Sequence, residues 1–142
     1  MASLGLNPKK QSFPAALLLH RQADGGSHFD LLIADRVPSE PDAATVPTSR
    51  IAHRPDLLPA QTTVGLERLP LHRERYLTIS EPVVLDRDRG TVSLLRRGSA
   101  EACADGEYQV QWDDCASQRI RIECENMDCT LTVLSNGTER GR

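Results

Sequence analysis

Two histidines, His20 and His28, and the aspartate Asp30 stand beside apolar residues in the stretch LLLHRQADGGSHFDLLI, which runs from Leu17 to Ile33. Titratable side chains in an apolar segment cost free energy unless partners satisfy them, so His20, His28 and Asp30 need a physical explanation. Residues two apart on a β-strand point to the same face, which places His28 and Asp30 together. Two imidazoles and one carboxylate can bind a divalent metal ion and leave coordination positions open for water or substrate.

The position of His20 relative to this pair depends on the turn between the two strands. The connecting residues RQADGG favour a turn, because Asp and Gly tolerate left-handed backbone conformations. A turn centred near Asp24 sets His20 directly opposite His28, with Cβ atoms about 4.5–5.5 Å apart, and predicts a metal triad. A turn centred on Gly25–Gly26 pairs His20 with Leu31 instead. The His-x-Asp pattern is short and common, so polar residues on a solvated sheet face stay an open alternative.

A second pair of candidate residues, His72 and Tyr76, lies in the segment LPLHRERYLTISEP. The two share a face if the segment is helical, and otherwise they flank the start of a strand. Both side chains can donate to a phosphate oxygen or take part in proton transfer. The alternative is a surface loop in which the tyrosine packs at a strand start. His53 is interpreted as a loop histidine, and Arg54 beside it as a phosphate contact or a solvated arginine.

Short apolar or alternating segments, separated by turn residues, predict β-strands along most of the chain. The predicted strands are 13–20, 27–35, 50–53, 76–84, 91–98, 106–114, 118–124 and 129–137. We expect a proline-containing loop over 36–49, an irregular segment with one helical turn over 54–75, and a turn over 86–90. Since no long stretch has helical periodicity, the pattern is typical of a small all-β barrel or sandwich.

Composition limits the class of protein. The 142 residues suffice for one domain with a core, and we expect a flexible tail over 1–12, a single domain over 13–137 and a flexible tail over 138–142. A net charge of −3, from 20 acidic and 17 basic residues, requires any nucleic-acid site to be a local patch. The sequence has no P-loop, GxGxxG or GxSxG motif, which argues against a kinase, a dehydrogenase or an α/β-hydrolase.

The expected compartment follows from the same sequence. Apolar runs stay below the roughly 18 residues of a membrane span, and the start of the chain lacks a signal-peptide pattern, so we expect a soluble cytoplasmic protein. The four cysteines, Cys103, Cys115, Cys124 and Cys129, form no CxxC pair, which disfavours a zinc ribbon. Cys124 and Cys129 flank ENMD in a predicted hairpin and can face each other, but the cytoplasmic expectation favours free thiols.

Several motifs occur in an order that a known family shares. LLLH and SHFDLL match an apolar strand that ends in histidine, a short polar loop and a His-aromatic-Asp strand. LHRERYLTISEPV matches a later segment with histidine and tyrosine four apart, DRDRGTVSLL matches a turn and a Gly-Thr-Val strand, and RIRIECENMDCTLTVLSN matches a closing hairpin. From about Phe13 to Asn136 the chain therefore resembles the 3′-phosphoesterase domain family of bacterial DNA ligase D and its stand-alone relatives.

This resemblance implies a mainly β fold, a small closed or partly closed β-barrel with short helical turns and long loops. It implies a metal-dependent phosphoesterase of DNA repair that removes 3′-phosphates and 3′-terminal ribonucleotides. His20, His28 and Asp30 match the family's ligands for a divalent metal, with Mn²⁺ first and Zn²⁺ or Co²⁺ as alternatives. His72 and Tyr76 match its catalytic, phosphate-contacting residues. The implied partners are DNA 3′ ends at a primer-template or nick and a separate ligase or polymerase, with no membrane.

The chain departs from the family pattern two residues after the aspartate. There the family has an arginine that contacts phosphate, and this chain has Leu32. Arg54 and Arg68 are candidates to replace that arginine. The departure also keeps open a second function, a catalytically impaired module of the same fold that binds DNA ends or a repair partner. A third possibility is a structural domain whose triad holds no metal.

Overall fold

Most of the described part of the chain folds into β-strands. The computed structural model describes residues 11–138, and residues 1–10 and 139–142 lie outside this description, as do most of the two expected tails. The strands are β1 Ser12–Arg21, β2 Ser27–Ile33, β3 Ala44–Ile51, β4 Thr62–Arg73, β5 Val83–Val84, β6 Thr91–Ala104, β7 Glu107–Trp112, β8 Ala116–Glu125 and β9 Asp128–Thr138. Two 3₁₀ turns, Pro55–Leu57 and Glu74–Leu77, complete the regular structure. Within residues 11–138, no helix has the length and apolar character needed to cross a membrane.

Eight of these strands close into an antiparallel barrel. Their order is β1-β2-β3-β4-β9-β8-β7-β6, and β6 pairs back onto β1. The two-residue strand β5 lies outside the ring and pairs with the start of β6. Closure leaves the eight barrel strands without an open edge. The mainly β fold with a closed barrel and short helical turns is thus confirmed.

Apolar residues pack on both sides of the barrel wall. The interior cluster draws side chains from all eight strands: Ala15, Leu17, Leu31, Ile33, Ile51, Ala100, Val110, Trp112, Ile120, Leu131 and Val133, with Val64 and Leu66 packed against them. A smaller outer cluster joins the outer face of β1, β2 and β3 to the Glu74–Leu77 turn and the start of β6: Ala16, Leu18, Leu32, Ala34, Val46, Leu77 and Val92. Alternation along β1 and β2 sends one set of residues to each cluster.

Two strands lie where the sequence pattern predicted loops. The segment 36–49 contains most of β3, so the predicted loop was wrong there. The segment 54–75 contains the expected helical turn, at Pro55–Leu57, but the irregular structure predicted for the rest was wrong, since the 12-residue strand β4 occupies it. Each strand includes a proline, Pro47 in β3 and Pro70 in β4, and proline within a segment argues against a strand. Both prolines are tolerated because the pairing of β3 with β4 is irregular at this point. The predicted strand 76–84 is also wrong, since it holds the end of a 3₁₀ turn and only the short strand β5.

Cys124 and Cys129 form a disulfide across the hairpin of β8 and β9. They are directly opposite in the pairing of the two strands, with 4.0 Å between their Cα atoms. The expectation of free thiols was therefore wrong for this pair. The compartment argument concerns the surroundings of a protein, whereas the hairpin register decides whether two thiols meet.

Glu74 ties the segment between β2 and β3 to the 3₁₀ turn that carries Tyr76. Its Oε1 accepts hydrogen bonds from the backbone N–H groups of Ser39 (2.7 Å) and Glu40 (2.8 Å), and its Oε2 accepts one from Thr45 Oγ1 (2.8 Å). These bonds favour the ionised carboxylate, so the backbone bond from Glu40 and the bond from Thr45 lower the pKa of Glu74 below its ordinary value of 4.5. The ionised form thus stabilises the folded chain.

Glu74→Gln lowers the melting temperature at pH 7, because an amide cannot accept all three hydrogen bonds. A depressed folded-state pKa contributes stability above the unfolded-state pKa, and this stability disappears as the pH falls through the folded-state value. The difference in melting temperature between wild type and Glu74→Gln therefore shrinks as the pH falls below about 4.5. Thermal unfolding followed by circular dichroism from pH 7 to pH 3 measures this, with exposed Glu81→Gln as control. A difference that stays constant with pH contradicts the assignment.

Candidate metal centre

The turn between β1 and β2 sets the register of the two strands. Gln22 N–H donates to the Gly26 carbonyl (2.7 Å), and the Asp24 carboxylate accepts from Gly26 N–H (2.9 Å). His20 then lies directly opposite His28, which confirms the register centred near Asp24 and excludes the one that pairs His20 with Leu31. Successive side chains along β2 point to opposite faces of the barrel wall. His28 and Asp30 are two positions apart and therefore lie together on the outer face.

His20, His28 and Asp30, called the triad below, converge on one point of that outer face. His20 Nδ1 lies 3.1 Å from His28 Nε2, and His28 Nε2 lies 3.2 Å from Asp30 Oδ1. One candidate ligand atom from each residue falls within 4.8 Å of the other two. His28 and Asp30 are only 6% and 3% exposed. The triad therefore combines the donor types of a divalent-metal site with short separations and a largely buried position.

The orientation of His20 is fixed from outside the triad. His20 Nε2 lies 2.7 Å from the carbonyl oxygen of Arg89. Since a carbonyl can only accept, His20 Nε2 carries the proton, and in the neutral ring Nδ1 presents a lone pair toward His28. A histidine that binds metal through one ring nitrogen commonly donates from the other to a backbone carbonyl. The Arg89 carbonyl gives His20 the tautomer that a metal ligand needs.

The triad has more acceptors than protons to share. His20 Nδ1 is an acceptor, so a proton on His28 Nε2 can be donated to His20 or to Asp30, but it cannot make a full hydrogen bond to both. Asp30 Oδ1 is buried, and its 3.2 Å contact with His28 Nε2 does not meet the geometry of a hydrogen bond, so this oxygen is left unsatisfied. An unsatisfied buried oxygen is rare and calls for an explanation such as an ion. The ring nitrogens of His20 and His28 lie close to this unsatisfied carboxylate oxygen, and such a set of lone pairs can bind a cation. The donor set therefore fits a divalent metal ion.

Burial acts on the ionisation of both strand β2 residues. It raises the pKa of the Asp30 carboxyl, against the charges of His28 and His72, which lower it. It also lowers the pKa of the His28 imidazole, against the raising effect of Asp30. Both shifts disfavour the charged forms in the absence of a counter-charge. A neutral His28 is the form that binds metal, and a bound cation would stabilise the Asp30 carboxylate.

His72 and Tyr76 lie beside the triad, as the sequence pattern allowed. His72 Nε2 is 3.9 Å from Asp30 Oδ2, and the rings of His72 and Tyr76 have centroids 6.2 Å apart. His72 is near the end of β4 and Tyr76 is in the following 3₁₀ turn, so the pair spans a strand and a turn and not one helix. Both side chains line a cavity of about 830 Å³ that also contains the triad.

A bulge in β4 accounts for the position of His72. Opposite Pro47 of β3, strand β4 carries two residues, Pro70 and Leu71, and the register shifts at this point. An extra residue bends a strand and changes the direction of the side chains that follow it. His72 Nδ1 is 3.1 Å from the Pro70 carbonyl, which accepts its proton. The ring is therefore held with Nε2 toward Asp30.

The two arginines proposed from the sequence as phosphate contacts lie elsewhere. Arg54 Nη2 pairs with the buried Asp56 carboxylate at 2.6 Å. Arg68 Nη1 donates to Ser49 Oγ at 3.0 Å and lines a separate, smaller cavity of about 220 Å³. Neither side chain lines the triad cavity. His53 is exposed, in agreement with its interpretation as a loop histidine.

Arg50 lines the triad cavity, and the sequence pattern did not indicate it. It lies on β3 directly opposite Asp30. Leu32, which occupies the family's arginine position, is fully buried in the outer cluster. The pairing of β2 with β3 was the missing information, because residue 50 lies 20 positions from Asp30 and no local pattern connects them.

Comparison with known proteins does not place this chain in a family, so its class is defined by the fold and the site alone. The chain has no significant match among family models, curated proteins or solved structures. The class that the fold and the site define is a closed antiparallel β-barrel with a His-His-Asp cluster on its outer wall.

Gly90 is the residue that lets the 86–90 turn reach His20. Its φ is +98°, and a Cβ atom at this position would lie 1.9 Å from the Arg21 carbonyl oxygen. Gly90→Ala therefore displaces the turn, removes the hydrogen bond from His20 Nε2 to Arg89, and destabilises the chain by at least about 1 kcal/mol. Imidazole ¹⁵N chemical shifts of His20 and urea unfolding measure the two effects. Gly65→Ala, where nothing lies within 4 Å of the added Cβ, is the control. An unchanged His20 tautomer in Gly90→Ala contradicts the role of the turn.

Proposed function

We propose that this chain is a metal-dependent phosphoesterase that processes the 3′ ends of DNA by removing 3′-phosphates or 3′-terminal ribonucleotides. The observation that carries the proposal is the convergence of the His20, His28 and Asp30 donor atoms around a buried carboxylate oxygen without a hydrogen-bond partner. The motifs shared with the 3′-phosphoesterase family supply the substrate class. DNA 3′ ends are the substrate partner, and a separate ligase or polymerase is the protein partner.

In this proposal the triad binds the metal. His20 contributes Nδ1 because its Nε2 donates to the Arg89 carbonyl. His28 contributes a ring nitrogen and Asp30 a carboxylate oxygen, and both side chains are largely buried on the outer wall. Mn²⁺ is the first candidate, with Zn²⁺ and Co²⁺ as alternatives, since all three accept mixed imidazole and carboxylate ligands. A divalent ion held by these three residues would polarise a phosphoryl oxygen and lower the pKa of a water molecule bound to it.

The remaining groups act on the phosphate ester. His72 is half-buried, next to Asp30, and its imidazole is within reach of an ester bound over the triad. In its protonated form, His72 stabilises charge on a phosphate oxygen or donates a proton to the leaving oxygen. Tyr76 extends the same side of the cavity and offers its hydroxyl as a further donor. Leu18, Leu69, Leu85 and Val92 form an apolar part of the cavity lining.

The charged residues that line the triad cavity are of both signs. Arg50, Arg73 and Arg89 line the triad cavity in a chain whose overall charge is −3. Asp24, Asp86 and Asp88 line it as well. The cavity thus has a mixed lining, which suits the end of a nucleic-acid chain better than a long charged backbone.

A second candidate function is a binding module without turnover. The observation that favours it is Leu32, which is fully buried where the family has a phosphate-contacting arginine. A module of this kind binds metal and 3′-phosphorylated DNA ends, with an affinity that falls as salt rises, but releases no phosphate. Phosphate release under single-turnover conditions separates the two functions.

His28→Ala removes detectable binding of Mn²⁺ and reduces release of 3′-phosphate from an oligonucleotide to background. Loss of one of three protein ligands leaves an incomplete site, and the buried Asp30 loses its nearest partner. Isothermal titration calorimetry and a phosphate-release assay measure both effects. His53→Ala, an exposed histidine outside the cavity, keeps both. Undiminished turnover by His28→Ala would sink the metal-dependent mechanism.

His72→Asn lowers kcat for 3′-phosphate release by about 10²–10⁴-fold, because a positioned proton donor contributes about this much. Tyr76→Phe causes a smaller loss. Neither change alters Mn²⁺ affinity by more than a few-fold, since neither side chain belongs to the triad. Calorimetry and single-turnover kinetics separate binding from chemistry. Turnover by His72→Asn equal to that of the wild type contradicts the catalytic role of His72.

A further inference from the structure

We propose that Arg50 is the anion-binding residue of this site and holds the phosphate group of the substrate against the triad. The inference rests on the proposed function, and it assigns the role left vacant by Leu32 to a residue of a different strand. The ligand class is a phosphate monoester or diester that carries at least one ionised oxygen.

Arg50 occupies the right place on the barrel wall. Its Cα is paired directly with that of Asp30 across β2 and β3, so the two side chains leave the same face of the sheet. The arginine side chain lines the cavity that contains the triad and His72. The residue two positions after Asp30 shares this face of β2, and here it is Leu32, which is buried within the outer cluster. The neighbouring strand supplies a guanidinium in the place of that side chain.

The guanidinium of Arg50 has unused hydrogen-bonding capacity. Its Nε is buried and has no hydrogen-bond partner. Its Nη1 lies 3.6 Å from Glu67 Oε1, and the Glu67 side chain is 64% exposed. An ion pair with an exposed carboxylate contributes about 1 kcal/mol or less, so a phosphate oxygen can replace it at little cost. A buried donor without a partner gains more from a charged acceptor than a solvated donor does.

The chemistry of the guanidinium suits the ligand. Arginine stays charged at all relevant pH values and presents a planar fork that binds two phosphate oxygens at once. A phosphate placed between a divalent ion and Arg50 would be neutralised from two sides.

The competing explanation is that Arg50 only balances charge. It is flanked across the strands by Asp30 on one side and by Glu67 on the other. The two explanations differ in what removal of the charge does to a metal ion and to an anion. A positive charge beside the triad opposes metal binding, so its loss strengthens Mn²⁺ binding or leaves it unchanged in both cases. Only an anion-binding Arg50 also makes phosphate affinity fall.

The test measures inorganic phosphate bound to the Mn²⁺-loaded protein by paramagnetic relaxation of the ³¹P signal. In Arg50→Gln we expect phosphate affinity to fall about tenfold or more, with Mn²⁺ affinity equal to that of the wild type or higher. Arg50→Lys recovers part of the loss. Arg68→Gln is the matched control, because Arg68 is one strand away and lines the other cavity. Thermal unfolding confirms that each variant is folded.

Glu67→Gln supplies an independent check in the opposite direction. Removal of the exposed carboxylate frees the Arg50 fork, and phosphate affinity rises by about twofold or more. Equal phosphate affinity in wild type and Arg50→Gln, with Mn²⁺ bound to both, overturns the role of Arg50 and leaves the metal site intact. Failure of the wild type to bind Mn²⁺ overturns the proposed function, and the role of Arg50 falls with it.

Discussion

The register between β1 and β2 is the constraint on which the site depends. A slip of one residue would move every side chain of a strand to the opposite face, sending His28 and Asp30 toward the interior cluster and Leu31 outward. The Asp24 turn fixes this register at one end, and the pairing of β1 with β6 on its other side fixes the strand within the closed barrel. The position of the triad is thus a consequence of how the barrel closes.

Apolar packing around the triad explains why titratable side chains can lie on this wall while the barrel stays folded. The outer cluster supplies a packed apolar floor next to the triad, and the Glu74 carboxylate holds the 3₁₀ turn that covers this floor. The interior cluster, which is separate and larger, provides most of the apolar burial. The free-energy cost of partly desolvating His28 and Asp30 is therefore offset by apolar packing, most of which lies in the interior cluster and away from the triad.

The sequence pattern was sufficient where local chemistry decides structure. Turn residues and alternation limited the β1–β2 register to two alternatives, one of which is the observed pairing of His20 with His28, and alternation gave the shared face of His28 and Asp30. Strands β3 and β4 were not predictable in this way, because Pro47 and Pro70 read as loop residues until their pairing accommodates them. Arg50 was missed for the same reason, since its place beside Asp30 depends on which strands become neighbours. Contacts of this kind are set by the whole barrel and by no local stretch of sequence.

The triad lies on the outside of the barrel, and this location determines the size of the ligands that can reach it. The barrel lumen is filled with side chains, so nothing has to thread through it. A ligand that meets the wall from the side can be as short as a single ester or can belong to a polymer of any length, since only its terminus enters the cavity. A ligand can also leave the cavity without separation of any strand, so exchange of ligands does not require the barrel to open.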